Sequence, residues 1–439
     1  MKIKNIFIFS KKTISLSILM LSPILSLGFS GVSHATTATY YTYYWCGDST
    51  TANGPKMNTA ANWSTANDCS TTSSNVPTNG DSVVFDAGLT PSSGNTLATD
   101  INNNIGSVAF GSVLFKGDVL STATGAEGFK FSTSNASTFI VHGTMQSSMT
   151  STNTAPTILF NDPVVFTSNS TVTADDGNTI EFNSVDGSAA GYSIDAAGFN
   201  LVFNGAGNIQ NDAEIGGTGN ITVNMATSST GGVFTLKHNT TFAGAVIASS
   251  PIVEAGDYFQ GATSLAISGD GMIIYTGTTD LTIAEPVTMG GNGPTLCEIS
   301  INGAPKTATT CGPTANQTTT PHNITFTGNV TLTANTSFFV GNGSSTYGVT
   351  ISGSSLTGSY KLDNRIGYLH LSATTNNSLT ANGNYGPSLT GATGGVGVPS
   401  GSTPDTGFGV LTTPAAEGLI GAALIAESIL IVKKKFSRN

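Results

Sequence analysis

Asn220-Ile221-Thr222-Val223 returns as Asn323-Ile324-Thr325-Phe326 and Asn329-Val330-Thr331-Leu332, with looser copies at Asn178-Thr179-Ile180-Glu181-Phe182 and Gly207-Asn208-Ile209. Alternation of this kind sends every second side chain to one face of a strand. The Asn or Gly in front supplies a corner where positive φ is tolerated. The same texture continues outward in both directions. From about Thr96 to Asn384 the chain is a succession of short apolar runs, among them Ser112-Val113-Leu114-Phe115, Thr157-Ile158-Leu159-Phe160, Val164-Val165-Phe166, Asn200-Leu201-Val202-Phe203 and Met272-Ile273-Ile274-Tyr275. Gly, Asn, Ser and Asp interrupt them, and no helical period is sustained outside the two termini. Strands near 180, 201, 222 and 235 are spaced about one coil apart for a parallel β-helix, whose coils each bury an apolar row by stacking on their neighbours. About 12 to 15 coils would fit. An array of β-sandwich domains offers similar strand spacing, but no linker or composition shift inside 96–384 separates such domains. The expected fold is all-β, a right-handed parallel β-helix with an N-terminal cap, flanked by an N-terminal signal helix and a C-terminal transmembrane helix.

Composition narrows the function classes. Of 15 Lys and Arg, four precede Ala35 and four follow Val432, leaving seven; of 25 Asp and Glu, only Glu417 and Glu427 lie in the tail, leaving 23. Residues 36–406 therefore carry a net charge near −16. Nucleic-acid binding, which needs clustered Lys and Arg, is disfavoured. Four cysteines form two local pairs, Cys46 with Cys69 and Cys297 with Cys311, which in an exported chain read as disulfides pinning loops. Neither pair has the spacing or the neighbouring His residues of a zinc site.

The two ends supply an address. Lys2, Lys4, Lys11 and Lys12 precede an apolar run from Ile14 to Phe29, and Val32-Ser33-His34-Ala35 offers a signal-peptidase site after Ala35. At the other end Thr403-Pro404-Asp405-Thr406-Gly407 precedes a largely apolar stretch to Val432 and then Lys433-Lys434-Lys435. This order resembles the C-terminal cell-wall sorting signal of bacterial surface proteins anchored by sortase, with Thr403 where that family usually has Leu. The resemblance implies cleavage between Thr406 and Gly407, with the apolar stretch held in the membrane and Lys433, Lys434 and Lys435 as a cytoplasmic stop. Glu417 and Glu427 weigh against a permanent span, although an uncleaved membrane anchor is the alternative. Gly391 to Ser402 reads as a flexible linker.

The front of the mature chain has its own character. Trp45, Ala60-Ala61-Asn62-Trp63-Ser64, Val76-Pro77 and Gly80-Asp81-Ser82-Val83-Val84-Phe85-Asp86 resemble the N-terminal start of autotransporter-like, β-helical surface proteins. The resemblance implies a β-solenoid behind them. Both tryptophans would pack in a cap, or else form a platform for sugar stacking. The resulting division is 1–35 signal peptide, 36–95 cap region, 96–390 solenoid, 391–403 linker and 404–439 sorting signal.

No Gly-x-Ser-x-Gly elbow, His-Glu-x-x-His helix or phosphate loop occurs in the mature region, and no cofactor is called for. A glycosidase or lyase would need facing carboxylates; the candidates are Asp175, Asp176, Glu181 and Asp186, or Asp212 and Glu214, with Arg365. Turn duty is the expected role of these acids. His142, His238, His322 and His370 read as surface or corner residues. The functional expectation is a non-enzymatic cell-surface adhesin or display stalk, with a surface carbohydrate-active enzyme or a self-assembling coat as alternatives. Its partners would be signal peptidase, a sortase-type transpeptidase, the membrane through its C-terminal segment, and glycans or proteins of a host or bacterial surface.

Overall fold

The computed structural model describes residues 38–385 apart from 49–54, 92–95, 119–126, 133–136, 152–154, 184–191, 227–231, 237–241, 255–260, 292, 300–310, 312–319, 343–345, 372–373 and 376–379. The signal peptide, the linker and the sorting signal with its apolar stretch lie outside the described residues. Two compact units divide the chain, Met1–Tyr40 and Tyr41–Asn439. Only Ala38, Thr39 and Tyr40 of the first are described, and they form no strand.

The second unit is nearly all β. Apart from a 3-10 turn at Ala60–Asn62, its described secondary structure is strands. These make one 17-stranded and one 15-stranded sheet, and every strand pairing is parallel except Thr42–Trp45 with Trp63–Ser64. Two long parallel sheets are consistent with a β-helix.

The strands fall into three columns, with third-column strands only in the early and late parts of the sheets. The first column runs from Thr42–Trp45 through Ser82–Asp86, Ala109–Asp118, Phe139–Thr150, Ser170–Ala174, Leu201–Gly205 and Ile221–Met225 to Val330–Leu332 and Ser355–Thr357. The second includes Thr157–Phe160, Thr179–Phe182, Asn208–Asn211, Phe234–Leu236, Met272–Tyr275, Pro294–Glu298 and Thr336–Phe339. The third column holds Val164–Phe166, Tyr192–Asp195 and Glu214–Gly216 early in the chain, and Leu281–Ile283, Ile324–Phe326 and Gly348–Ile351 later.

Two long strands turn a corner and join columns. Phe139–Thr150 pairs with Val164–Phe166 through its start and with Ser170–Ala174 further on. At its bend sits Gly143, where a Cβ would lie 1.9 Å from the Gly111 carbonyl oxygen. Lys361–Leu371 pairs first with Thr336–Phe339 and then with Gly348–Ile351, bending at Gly367 with φ 78°. Both bends need a residue without a side chain.

The column assignment corrects one expectation. Val202 does pair with Thr222, one coil on, but Ile180 pairs with Ile209 and Gln210 with Thr235. Strands near 180 and 235 thus share a column two coils apart, while those near 201 and 222 occupy another. Between 180 and 201 the chain passes through Tyr192–Asp195 in the third column, so the strands near 180 and 201 lie on different faces.

Inward positions fill a continuous core. In the second column Phe131, Phe160 and Phe182 are in register, with ring centroids 5.0 Å and 5.5 Å apart and planes within 13°. Each buried ring stabilises by about 1.5 to 3 kcal/mol through area alone. The stack ends where Asn211 follows Phe182 in register; its buried amide accepts from the Ser193 hydroxyl and donates to the Ala213 carbonyl. Met272–Tyr275 departs from simple alternation because both faces are covered. Ile273 and Tyr275 face the main core, while Met272 and Ile274 join a second cluster with Val233, Val253, Cys297, Ile299, Cys311 and Phe339.

Candidate functional site

Exposed corner asparagines knit successive coils. The Oδ1 of Asn79 accepts from Ala109 N at 2.8 Å, that of Asn169 from Asn200 N at 2.9 Å, that of Asn200 from Asn220 N at 2.9 Å, and that of Asn220 from Ala245 N at 3.1 Å. The Asn that opens the repeated template is therefore a coil-to-coil connector as well as a turn residue. Behind it, the outward row of the first column reads Thr171, Val202, Thr222, Ile247, Ala266, Thr288, Thr331 and Thr357 in register. It carries hydroxyls and methyls and no charge.

Both disulfides form. Cys46–Cys69 and Cys297–Cys311 have Cα separations of 5.7 Å and 6.0 Å. They suggest an extracytoplasmic protein, since thiols stay reduced in the cytosol. Beside the first, Trp45 and Trp63 are fully buried with centroids 5.1 Å apart. Trp45 Nε1 donates to Ala98 O at 3.0 Å and Trp63 Nε1 to Met57 O at 2.7 Å. Buried indoles with satisfied N–H groups pack; they offer no sugar platform.

The sequence-nominated acids are dispersed. Asp175 opens a corner in which its Oδ2 accepts from Gln146 Nε2 at 3.2 Å and its carbonyl from Asn178 N at 3.0 Å. Asn178, buried, accepts from Ser147 Oγ at 2.6 Å and Met149 N at 2.9 Å and donates to Met149 O at 3.0 Å. Exposed Asp176 follows Asp175 in the same corner, Glu181 points outward from the second column between Leu159 and Gln210, and Asp212 and Glu214 lie at the start of the third. Asp186 and His238 are outside the described residues. Arg365 is held by Asp363, Nε to Oδ2 3.4 Å, with its guanidinium 5.6 Å from the Phe339 ring centroid. Six second-column strands lie between it and Glu181, so seven steps of ~4.8 Å put them about 34 Å apart. Arg365 and these acids do not share a cleft. No group of three His, Cys, Asp or Glu placed to hold a metal ion occurs among the described residues.

Sequence reasoning missed one polar cluster. Glu298, its side chain 1% exposed, accepts at Oε1 from both His322 N at 2.7 Å and His322 Nδ1 at 2.9 Å, and at Oε2 from Gly341 N at 3.2 Å. Burial pushes the Glu298 carboxyl above its ordinary value, and the donated N–H bonds oppose the rise. His322 is thus a clamp rather than a free surface residue; Tyr275 meets its ring edge-on at 6.2 Å. All these donors engage a carboxylate next in sequence to the disulfide-bonded Cys297. Their separation of 24 residues gives no motif. His142, by contrast, is exposed, with Nδ1 3.1 Å from Thr167 Oγ1.

The sorting residues Thr403, Pro404, Asp405, Thr406 and Gly407, the stop Lys433, Lys434 and Lys435, and the cleavage residue Ala35 all lie outside the described residues. No protein-family model matches the chain, and no curated protein or solved structure does so either.

Proposed function

We propose that this chain is an exported, non-enzymatic bacterial surface protein, an adhesin or display stalk anchored through its C-terminal signal. The observation that carries the reading is the uncharged outward row from Thr171 to Thr357 on a continuous parallel sheet. Such a row offers adaptable hydrogen bonding to a partner at one position per coil. The ectodomain is a right-handed β-helix, the hand that parallel crossovers take in about 98% of cases. Trp45, Trp63 and the Cys46–Cys69 bridge cap its first coil. Signal peptidase releases it after Ala35, and a sortase-type transpeptidase joins Thr406 to the envelope.

Mass spectrometry of C-terminal peptides from purified envelopes tests the anchor. A peptide ending at Thr406 and linked to an envelope fragment is expected; an intact end at Asn439 overturns sortase processing. Deleting residues 404–439 is expected to shift the protein into the medium, and continued surface retention would reject the C-terminal anchor. Adhesion of cells displaying the full chain, compared with cells lacking it, tests the adhesin role.

A further inference from the structure

The late third column carries a second outward surface, different in kind from the hydroxyl row. Leu281, Ile324, Val349 and Leu369 point into the core, as do Ile283, Phe326, Ile351 and Leu371. Alternation then places Thr282, Thr325, Thr350 and His370 side by side on the outer face. A parallel outward row holds Asp280, Asn323, Gly348 and Tyr368. The side chain of Tyr368 lies along this row. Its hydroxyl donates to Asn323 Oδ1 at 3.1 Å and stands 3.5 Å from Thr350 Oγ1, so the ring passes over Gly348, which is buried although its position faces outward. Gly348 has no room for a side chain, since a Cβ there would lie 2.1 Å from the Tyr368 carbonyl oxygen. Asn323 is fixed from the other side by Asp280, whose Oδ1 accepts its backbone N–H at 2.8 Å and whose Oδ2 accepts its Nδ2 at 3.2 Å. Gly367, at positive φ, turns the chain so that Tyr368 is the first residue delivered to this face.

The Tyr368 ring is half-buried and lies along the sheet. Here it is bordered by an exposed carboxylate with lone pairs to spare, a row of hydroxyls and an imidazole. We propose that this surface is a subsite for a neutral sugar ring, a proposal that rests on the adhesin reading and names its ligand class. The apolar C–H face of a pyranose covers the Tyr368 ring. Its hydroxyls donate to the Asp280 carboxylate and exchange hydrogen bonds with Thr325 and Thr350. Charge selects against acidic glycans, because Asp280 lies in the patch and residues 36–406 carry a large negative excess. A flat apolar side chain would satisfy the ring and leave the polar border unmatched; a sugar matches both.

The test uses the purified full chain with maltohexaose, chitohexaose and a mannohexaose as probes, read by calorimetry. Binding of at least one probe is expected. Tyr368→Ala should weaken it about tenfold, as loss of one stacking contact does, with an unchanged melting curve. Tyr368→Phe, which keeps the ring, should retain most of the affinity, and Thr350→Ala should lose a few-fold. Wild-type protein that binds none of the three probes overturns the subsite, as does Tyr368→Ala binding indistinguishable from wild type. Cell adhesion separates the two readings. If displayed wild type adheres and Tyr368→Ala adheres equally, the adhesin role stands and the subsite falls. If displayed wild type does not adhere, the adhesin role falls while calorimetry still decides the subsite.

Discussion

Asn200 both donates its backbone N–H to the Asn169 side chain and accepts, at Oδ1, the N–H of Asn220. Replacing it with Ala removes the acceptor from a solvent-exposed bond, and the expected loss is about 0.5 to 1.5 kcal/mol. Asn200→Asp, which keeps an acceptor, should lose less; urea denaturation of both variants checks the ranking. Burial raises the Glu285 carboxyl above its ordinary value, and its Oε2 has no hydrogen-bond partner among the described residues. Because the folded state holds the proton more tightly than the unfolded state, the associated stability is fully present below the unfolded value and is lost as pH rises through the folded one. Glu298 has the same sign. Stability should therefore decline as pH rises above about 4.5 through these two groups, and Glu285→Gln should make that decline shallower in melts taken across a pH series. An unaltered slope would remove Glu285 from the account.

At the scale of strands and columns, much was written in the sequence. Short apolar runs marked Thr157–Phe160, Val164–Phe166 and Met272–Tyr275 to the residue, the first two by one buried face and the last by two. Which strand stacks on which was hidden, since coil length varies. Paired residues are 19 apart at Ala245 and Ser264 but 43 apart at Val287 and Val330. For the same reason the Glu298–His322 clamp and the Tyr368–Asn323 contact left no local pattern. Both join residues that only the register brings together. The corner acids were legible as turn residues, and Asp175 serves as one. Column packing also ranks substitutions. Phe160→Ala removes the middle ring of the Phe131–Phe160–Phe182 stack and should cost about 3 to 5 kcal/mol. Thr171→Ala on the outer face should stay within about 0.5 kcal/mol. Equal losses in chemical denaturation would contradict the inward and outward assignment.

For the molecule as a whole, stability comes from neighbour-to-neighbour contacts between coils with two covalent pins added. Cys297 and Cys311 are 14 residues apart, and closing a loop of about that length contributes roughly 3 kcal/mol. Reduction should lower the melting temperature, and a Cys297→Ser/Cys311→Ser double variant should show no further drop from the same bond; an additional loss of usual size in that variant would assign the effect to Cys46–Cys69. In each of Asn79, Asn169, Asn200 and Asn220, the side chain of the earlier coil waits for the amide of the later one. In a chain that emerges N-terminus first, these four junctions present a ready acceptor to the segment that follows. At each of them the later turn is moulded on the earlier one, so that assembly there has a direction.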